Sequence, residues 1–201
     1  GLVRFPVTTQ IAPYERWAEL WDSVHRLQAV LVDLAQDLWL YAHRGYLGVL
    51  RAPGQVGSST MPHKANPIQF ELAEGNLRLS NALWGFFSEK LPVSRLQRDL
   101  TDSTLLRNLG VALGHGLVGL RALAEGLEQV QPRPAAMEAD LAAHPEVLAE
   151  AWQTLQRKAG EVHAYEQALA SLVEGTFVPP VPATQYVGYA PQAVPPPEAG
   201  S

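Results

Sequence analysis

Cysteine is absent from all 201 residues, which excludes disulfides and thiolate metal sites and leaves nothing pointing to secretion. No apolar run approaches the ~20 residues a membrane-spanning helix needs, and no signal-peptide pattern is visible. Charged residues are sparse at 17%, and a net charge of −5 provides no basic surplus for nonspecific nucleic-acid binding. Strand-like alternation, internal repeats, a Gly-rich nucleotide loop and an HExxH pattern are also missing. The six histidines show no metal-ligand spacing. His25 and His43 stand too far apart on one helix to share a site, and His115 reads as a packed, hydrogen-bonded core residue. No metal, cofactor or membrane partner is implied, and the expected compartment is the cytoplasm.

What is present is apolar helix. Hydrophobic residues make up 47%, five of them Trp, enough to bury faces in a large core or against other subunits. Pro13 opens a pattern of Trp17, Leu20, Trp21, Val24, Leu27, Leu31, Leu34, Leu38 and Tyr41, which predicts one amphipathic helix to about Tyr46. At 1.5 Å per residue it would run roughly 50 Å, a bundle length. A second helix is expected over 67–88 and a third from about Asp102 to Val130. Gly110, Gly114, Gly116, Gly119 and Gly126 fall inside the third and predict close helix–helix approach. Gln131-Pro132-Arg133-Pro134 marks a boundary, and shorter helices follow at about 135–142, 145–158 and 161–174. The expected organisation is all-α, with a bundle over 1–130, a small helical domain over 131–190 and a disordered tail over 191–201. The chain starts at Gly1, and its first residues read like the interior of a longer protein.

Two polar stretches interrupt this pattern. Gly57 to Pro67 places Ser58, Ser59, His63, Lys64 and Asn66 between two apolar helices, with Pro67 suited to the first turn of the next one. Such a loop reads either as an ordinary helix connection or as a carboxylate or phosphate site at a helix start. The second stretch gathers Arg95, Arg98, Asp99, Asp102, Ser103 and Arg107. Ser103 and Arg107 lie four apart on one helix face, so the stretch is either a phosphate clamp or a salt-bridged helix start.

Together these stretches carry a resemblance. GSSTMPHKANP at 57–67 resembles the signature loop of the fumarase/aspartase superfamily, and LPVSRLQRDLTDSTLLRNLG at 91–110 resembles its adenylosuccinate lyase branch, bacterial type. TTQI at 8–11 and PATQYVG at 182–188 are similar to the same branch. The resemblance implies a long-helix bundle, homotetrameric, whose active sites draw on several subunits. It implies β-elimination of fumarate from adenylosuccinate, giving AMP, and from the succinylated aminoimidazole carboxamide ribotide in purine biosynthesis. By resemblance Ser58 is the general base and Lys64 stabilises the carbanionic intermediate. Asn66 would bind the succinyl carboxylate, Ser59 and Gln10 the substrate, and Arg98, Ser103 and Arg107 the nucleotide, largely through its phosphate. Position 72 is Leu where the family carries Asn or Arg, and the family's general-acid histidine belongs to an N-terminal half not in this sequence. The competing readings are a non-catalytic helical or nucleotide-binding remnant, and another fumarate-releasing lyase of the superfamily.

Overall fold

A computed structural model describes residues 4–11, 13–50, 66–96, 98–182 and 186. The chain divides into two compact units, Gly1–Pro132 and Arg133–Ser201.

In the first unit, helix α1 (Glu15–His43) and helix α4 (Leu109–Gln129) pack on either side of helix α2 (Ile68–Lys90). The buried stripe of α2 is Phe70, Ala73, Leu77, Ser80, Trp84 and Phe87, at steps of three and four. On α1 the buried stripe is Ala18, Trp21, Gln28, Val32 and Ala35, narrower than the apolar pattern in the sequence. Trp17, Leu20, Leu27 and Leu34 are exposed, because the neighbouring helices of this chain cover only one side of α1. The core forms two clusters. One joins Trp21, Trp84, Phe87, Leu91 and Ala112, and the other joins Ala35, Phe70, Ala73, Ala122 and Leu123. Each fully buried large side chain contributes about 1.5–3 kcal/mol relative to exposure.

Polar groups lie between the two clusters. The Ser80 hydroxyl donates to the Ala112 carbonyl at 2.8 Å, and buried Gln28 faces Gly116. The glycines of α4 are only partly explained by close approach. A Cβ at Gly119 would stand 2.7 Å from Leu77 Cγ and 3.2 Å from the Ala73 carbonyl, whereas Gly110 and Gly114 face open space.

α1 closes with a left-handed Gly45 (φ +82°), whose N–H donates to Ala42 while the Tyr46 N–H reaches back to Tyr41. This C-cap satisfies the last carbonyls where only Gly adopts the angle without strain. The expected third helix is two: α3 (Thr101–Leu106), a turn at Arg107-Asn108, then α4. The all-α reading holds, with two short strands beside the helices. β1 (Leu47–Val49) pairs antiparallel with β2 (Val130–Pro132), Gly48 opposite Gln131, and ties the end of α1 to the end of α4. Three-residue strands are too short to show a period in sequence.

The second unit is helical. α5 (Pro134–Ala143), a 3-10 turn at Pro145–Leu148, α6 (Ala149–Lys158) and α7 (Ala164–Val173) bury Leu148, Ala151, Ala164 and Ala168. Gly160 and Gly175, both at positive φ, follow α6 and α7. The expected tail at 191–201 lies outside the described residues.

Candidate active site

α2 ends at Lys90, and the turn at Leu91-Pro92 sends the chain back over the helix end. There one carboxylate organises the loop. Buried Asp99 accepts the Thr101 N–H at 3.0 Å and pairs with Lys90 Nζ and Arg95 Nη2, each at 3.4 Å. The Thr101 N–H, and then the Arg95 and Lys90 cations, hold its carboxyl well below the usual range against the opposing effect of burial. Between Arg95 and Asp99, Leu96 is fully exposed at φ +47°, a strained angle for a side chain with Cβ.

This arrangement divides the cations of the Arg/Asp stretch: Arg95 joins a salt-bridged helix start, and two others do not. Lys90, which sequence reasoning left in a connecting segment, and Arg95 occupy Asp99. Among the described residues Arg98 and Arg107 have no carboxylate partner, and both are exposed. The Ser103 hydroxyl, also exposed, donates to the Leu100 carbonyl at 2.9 Å and keeps a lone pair and its surface position. Two unneutralised guanidiniums and a hydroxyl on one short stretch can take a phosphate-like dianion.

Gln10 belongs to the same end of the bundle. It is exposed, between Thr9, whose hydroxyl donates to the Ile11 carbonyl at 2.6 Å, and Ile11 itself. Thr9 and Ile11 line a cavity of about 230 Å³ together with Tyr14, Ser94 and Asp102. The segments of Gln10 and Ser103 therefore meet there, although about ninety residues separate them in sequence. Burial raises the Tyr14 hydroxyl above its ordinary pKa, and the nearby Asp102 charge adds to the shift.

Asn66 lies elsewhere. Half-buried, it precedes the buried Pro67 and the first turn of α2. Trp39 Nε1 donates to Glu71 at 2.8 Å there, so the C-terminal part of α1 flanks this end while Ser88 bonds Asp22 at the other. The 23 residues of α2 separate Asn66 from the Lys90–Asp99 pair. At 1.5 Å per residue that is roughly 33 Å. One copy of the chain thus brings Gln10, Arg98, Ser103 and Arg107 to one end of the bundle and leaves Asn66 at the other. Ser58, Ser59, His63 and Lys64 lie outside the described residues.

Leu72 is 47% exposed on α2, its carbonyl accepting the Asn76 amide, so no core packing requires an apolar residue there. His115 Nδ1 lies 2.9 Å from Asn76 Oδ1, half-buried and hydrogen-bonded. Among the described residues no cluster of His, Asp or Glu could hold a metal.

Comparison with known proteins places this geometry in context. Residues 3–81 match the family model described as Lyase, and residues 94–178 match that described as Adenylosuccinate lyase C-terminal. Adenylosuccinate lyase of Legionella pneumophila is 48% identical over 178 residues, 89% of this chain and 39% of the relative. That of Escherichia coli K12 is 44% identical over the same shares, and that of Dictyostelium discoideum 46% over 83% of this chain and 36% of the relative. The chain spans about two-fifths of the length of these curated relatives.

Proposed function

The chain belongs to the adenylosuccinate lyase family, and on that premise we propose that it is the C-terminal portion of a cytoplasmic enzyme releasing fumarate from adenylosuccinate and from the succinylated aminoimidazole carboxamide ribotide. The observation that carries the reading is that Arg98 and Arg107, beside Ser103, have no carboxylate partner among the described residues, in a segment whose Asp99 is satisfied by other cations. Bidentate guanidinium donors suit the substrate phosphate.

In the proposed reaction Ser58 removes a proton from the carbon next to a substrate carboxylate. The electron pair spreads onto that carboxylate, and Lys64 stabilises the charge. Collapse of the carbanion breaks the C–N bond and yields fumarate. The nitrogen takes its proton from a histidine in the part of the family's length that this chain does not span. Asn66 holds the succinyl carboxylate, and Ser59 and Gln10 contact the same substrate. The 33 Å scale of α2 supports a site assembled from several copies, since no single copy joins Asn66 to Arg98. Exposed leucines on α1 and α4, among them Leu27, Leu113 and Leu117, supply faces for a homotetramer. On this reading residues 1–130 complete a central bundle and 131–190 form its small C-terminal domain.

The test is fumarate release followed by ultraviolet absorbance. The chain alone is expected to be inactive and the chain co-expressed with the complementary N-terminal portion active. Absence of activity in a stable two-part assembly refutes the proposal.

A further inference from the structure

The cavity between the 9–14 segment and the turn after α2 ends on a carboxylate without a hydrogen bond. Asp102 is 4% exposed, and among the described residues neither of its oxygens accepts a hydrogen bond. The nearest cation, Lys90 Nζ, stands 3.9 Å away, beyond hydrogen-bond reach, and is already engaged by Asp99 at 3.4 Å and the Val93 carbonyl at 3.2 Å. A buried carboxylate in this state is strongly unfavourable unless something pairs with it. The walls leading to it are mixed: Ile11, Pro13, Leu91 and Pro92 are apolar, while Thr9 and Ser94 lie beside the Tyr14 ring as polar neighbours.

A slot of about 230 Å³ with mixed walls, ending on a carboxylate that accepts no hydrogen bond among the described residues, suits an occupant with an apolar stem and a cationic tip. An arginine lays its methylene stem on apolar surface and offers two parallel N–H donors to a carboxylate. The proposed substrate, carrying phosphate and carboxylates, would be repelled. We propose that this cavity receives an arginine side chain from the part of the lyase polypeptide that this chain does not span, closing a buried ion pair on Asp102. The inference rests on the reading of the chain as one portion of a longer lyase, of which it covers about two-fifths.

The experiment co-expresses the chain with the complementary N-terminal portion of the Legionella relative and measures the dissociation constant of the assembly. Asp102→Asn and Asp102→Leu are expected to weaken association about a hundredfold or more, as loss of one partner of a desolvated pair does. In the chain alone, where only Lys90 at 3.9 Å offsets the carboxylate, the same substitutions leave Tm unchanged or raise it. Phenylglyoxal labelling read by mass spectrometry should find an arginine of the added portion shielded with the unaltered chain and reactive with Asp102→Asn. Wild-type affinity in both variants, no association of the unaltered pair, a lowered Tm of the variant chain alone, or no shielded arginine each overturns the inference. Asp102-dependent association without fumarate release supports it and refutes the functional proposal; fumarate release with undiminished association of the variants does the reverse.

Discussion

Two variants that each cripple the proposed enzyme should restore one another when mixed. Asn66 and Arg98 mark opposite ends of α2, which has 23 residues, or roughly 33 Å at 1.5 Å per residue, farther than a mononucleotide reaches. A site using both must take Asn66 from one copy and Arg98 from another. Asn66→Ala and Arg98→Ala each remove a hydrogen bond to a charged group, about 1.5–3 kcal/mol, or roughly ten- to a hundredfold in kcat/KM. In a 1:1 mixture of copies assorting at random in a symmetric oligomer, about a quarter of the sites receive both intact residues. The assay is fumarate release by the two-part assembly, with both variants co-expressed or refolded together from denaturant. Activity near a quarter of wild type is expected, well above either variant alone. If each site used both residues of a single copy, no mixed site would be intact and the rates would stay at the single-variant level. That outcome refutes the reasoning.

Gly119→Ala drives a Cβ to 2.7 Å from Leu77 Cγ and is expected to destabilise the chain by about 1–3 kcal/mol of overpacking, less up to about 1 kcal/mol of helix propensity. Gly114→Ala meets nothing within 4 Å and should stabilise by up to about 1 kcal/mol; denaturant midpoints compare the two. Because the Asp99 carboxyl is depressed in the folded state, its stabilisation is complete above the unfolded carboxylate pKa of about 4 and is lost as pH falls through the lower folded value. Asp99→Asn should therefore lower Tm at pH 7, with the gap to wild type closing below about pH 4. Tyr14 is expected to titrate above the ordinary tyrosine value of about 10. Asp102→Asn should bring it only part of the way back, because burial is the larger cause; NMR of ring-labelled tyrosine follows both.

Much of the helical architecture could be read from residue spacing, because helix period and breakers are local. The steps of three and four from Trp17 to Tyr41 predicted α1, and the Gln131–Pro134 break marked the end of the first unit. Other features depended on partners distant in sequence. The strands at 47–49 and 130–132 have too few residues to alternate visibly and exist only because the ends of α1 and α4 meet. The exposed half of the α1 apolar pattern was indistinguishable in sequence from the half that packs.

The site divides in the same way. By themselves the residues determined the chemistry on offer: a signature loop with Ser58, Lys64 and Asn66, and a guanidinium-rich segment with Arg98, Ser103 and Arg107. Ionisable type and motif spacing are properties of the chain. Only the tertiary structure decided which cation pairs with which anion, giving Asp99 to Lys90 and Arg95 and leaving Arg98 and Arg107 without a carboxylate among the described residues. Only it put Asn66 a helix length away from them, left the buried Asp102 carboxylate without a hydrogen bond among the described residues, and brought Thr9 and Ile11 beside it. The reason is physical: hydrogen bonds and ion pairs act over a few ångströms in space, and a rigid α2 converts neighbouring stretches of sequence into opposite ends of a bundle.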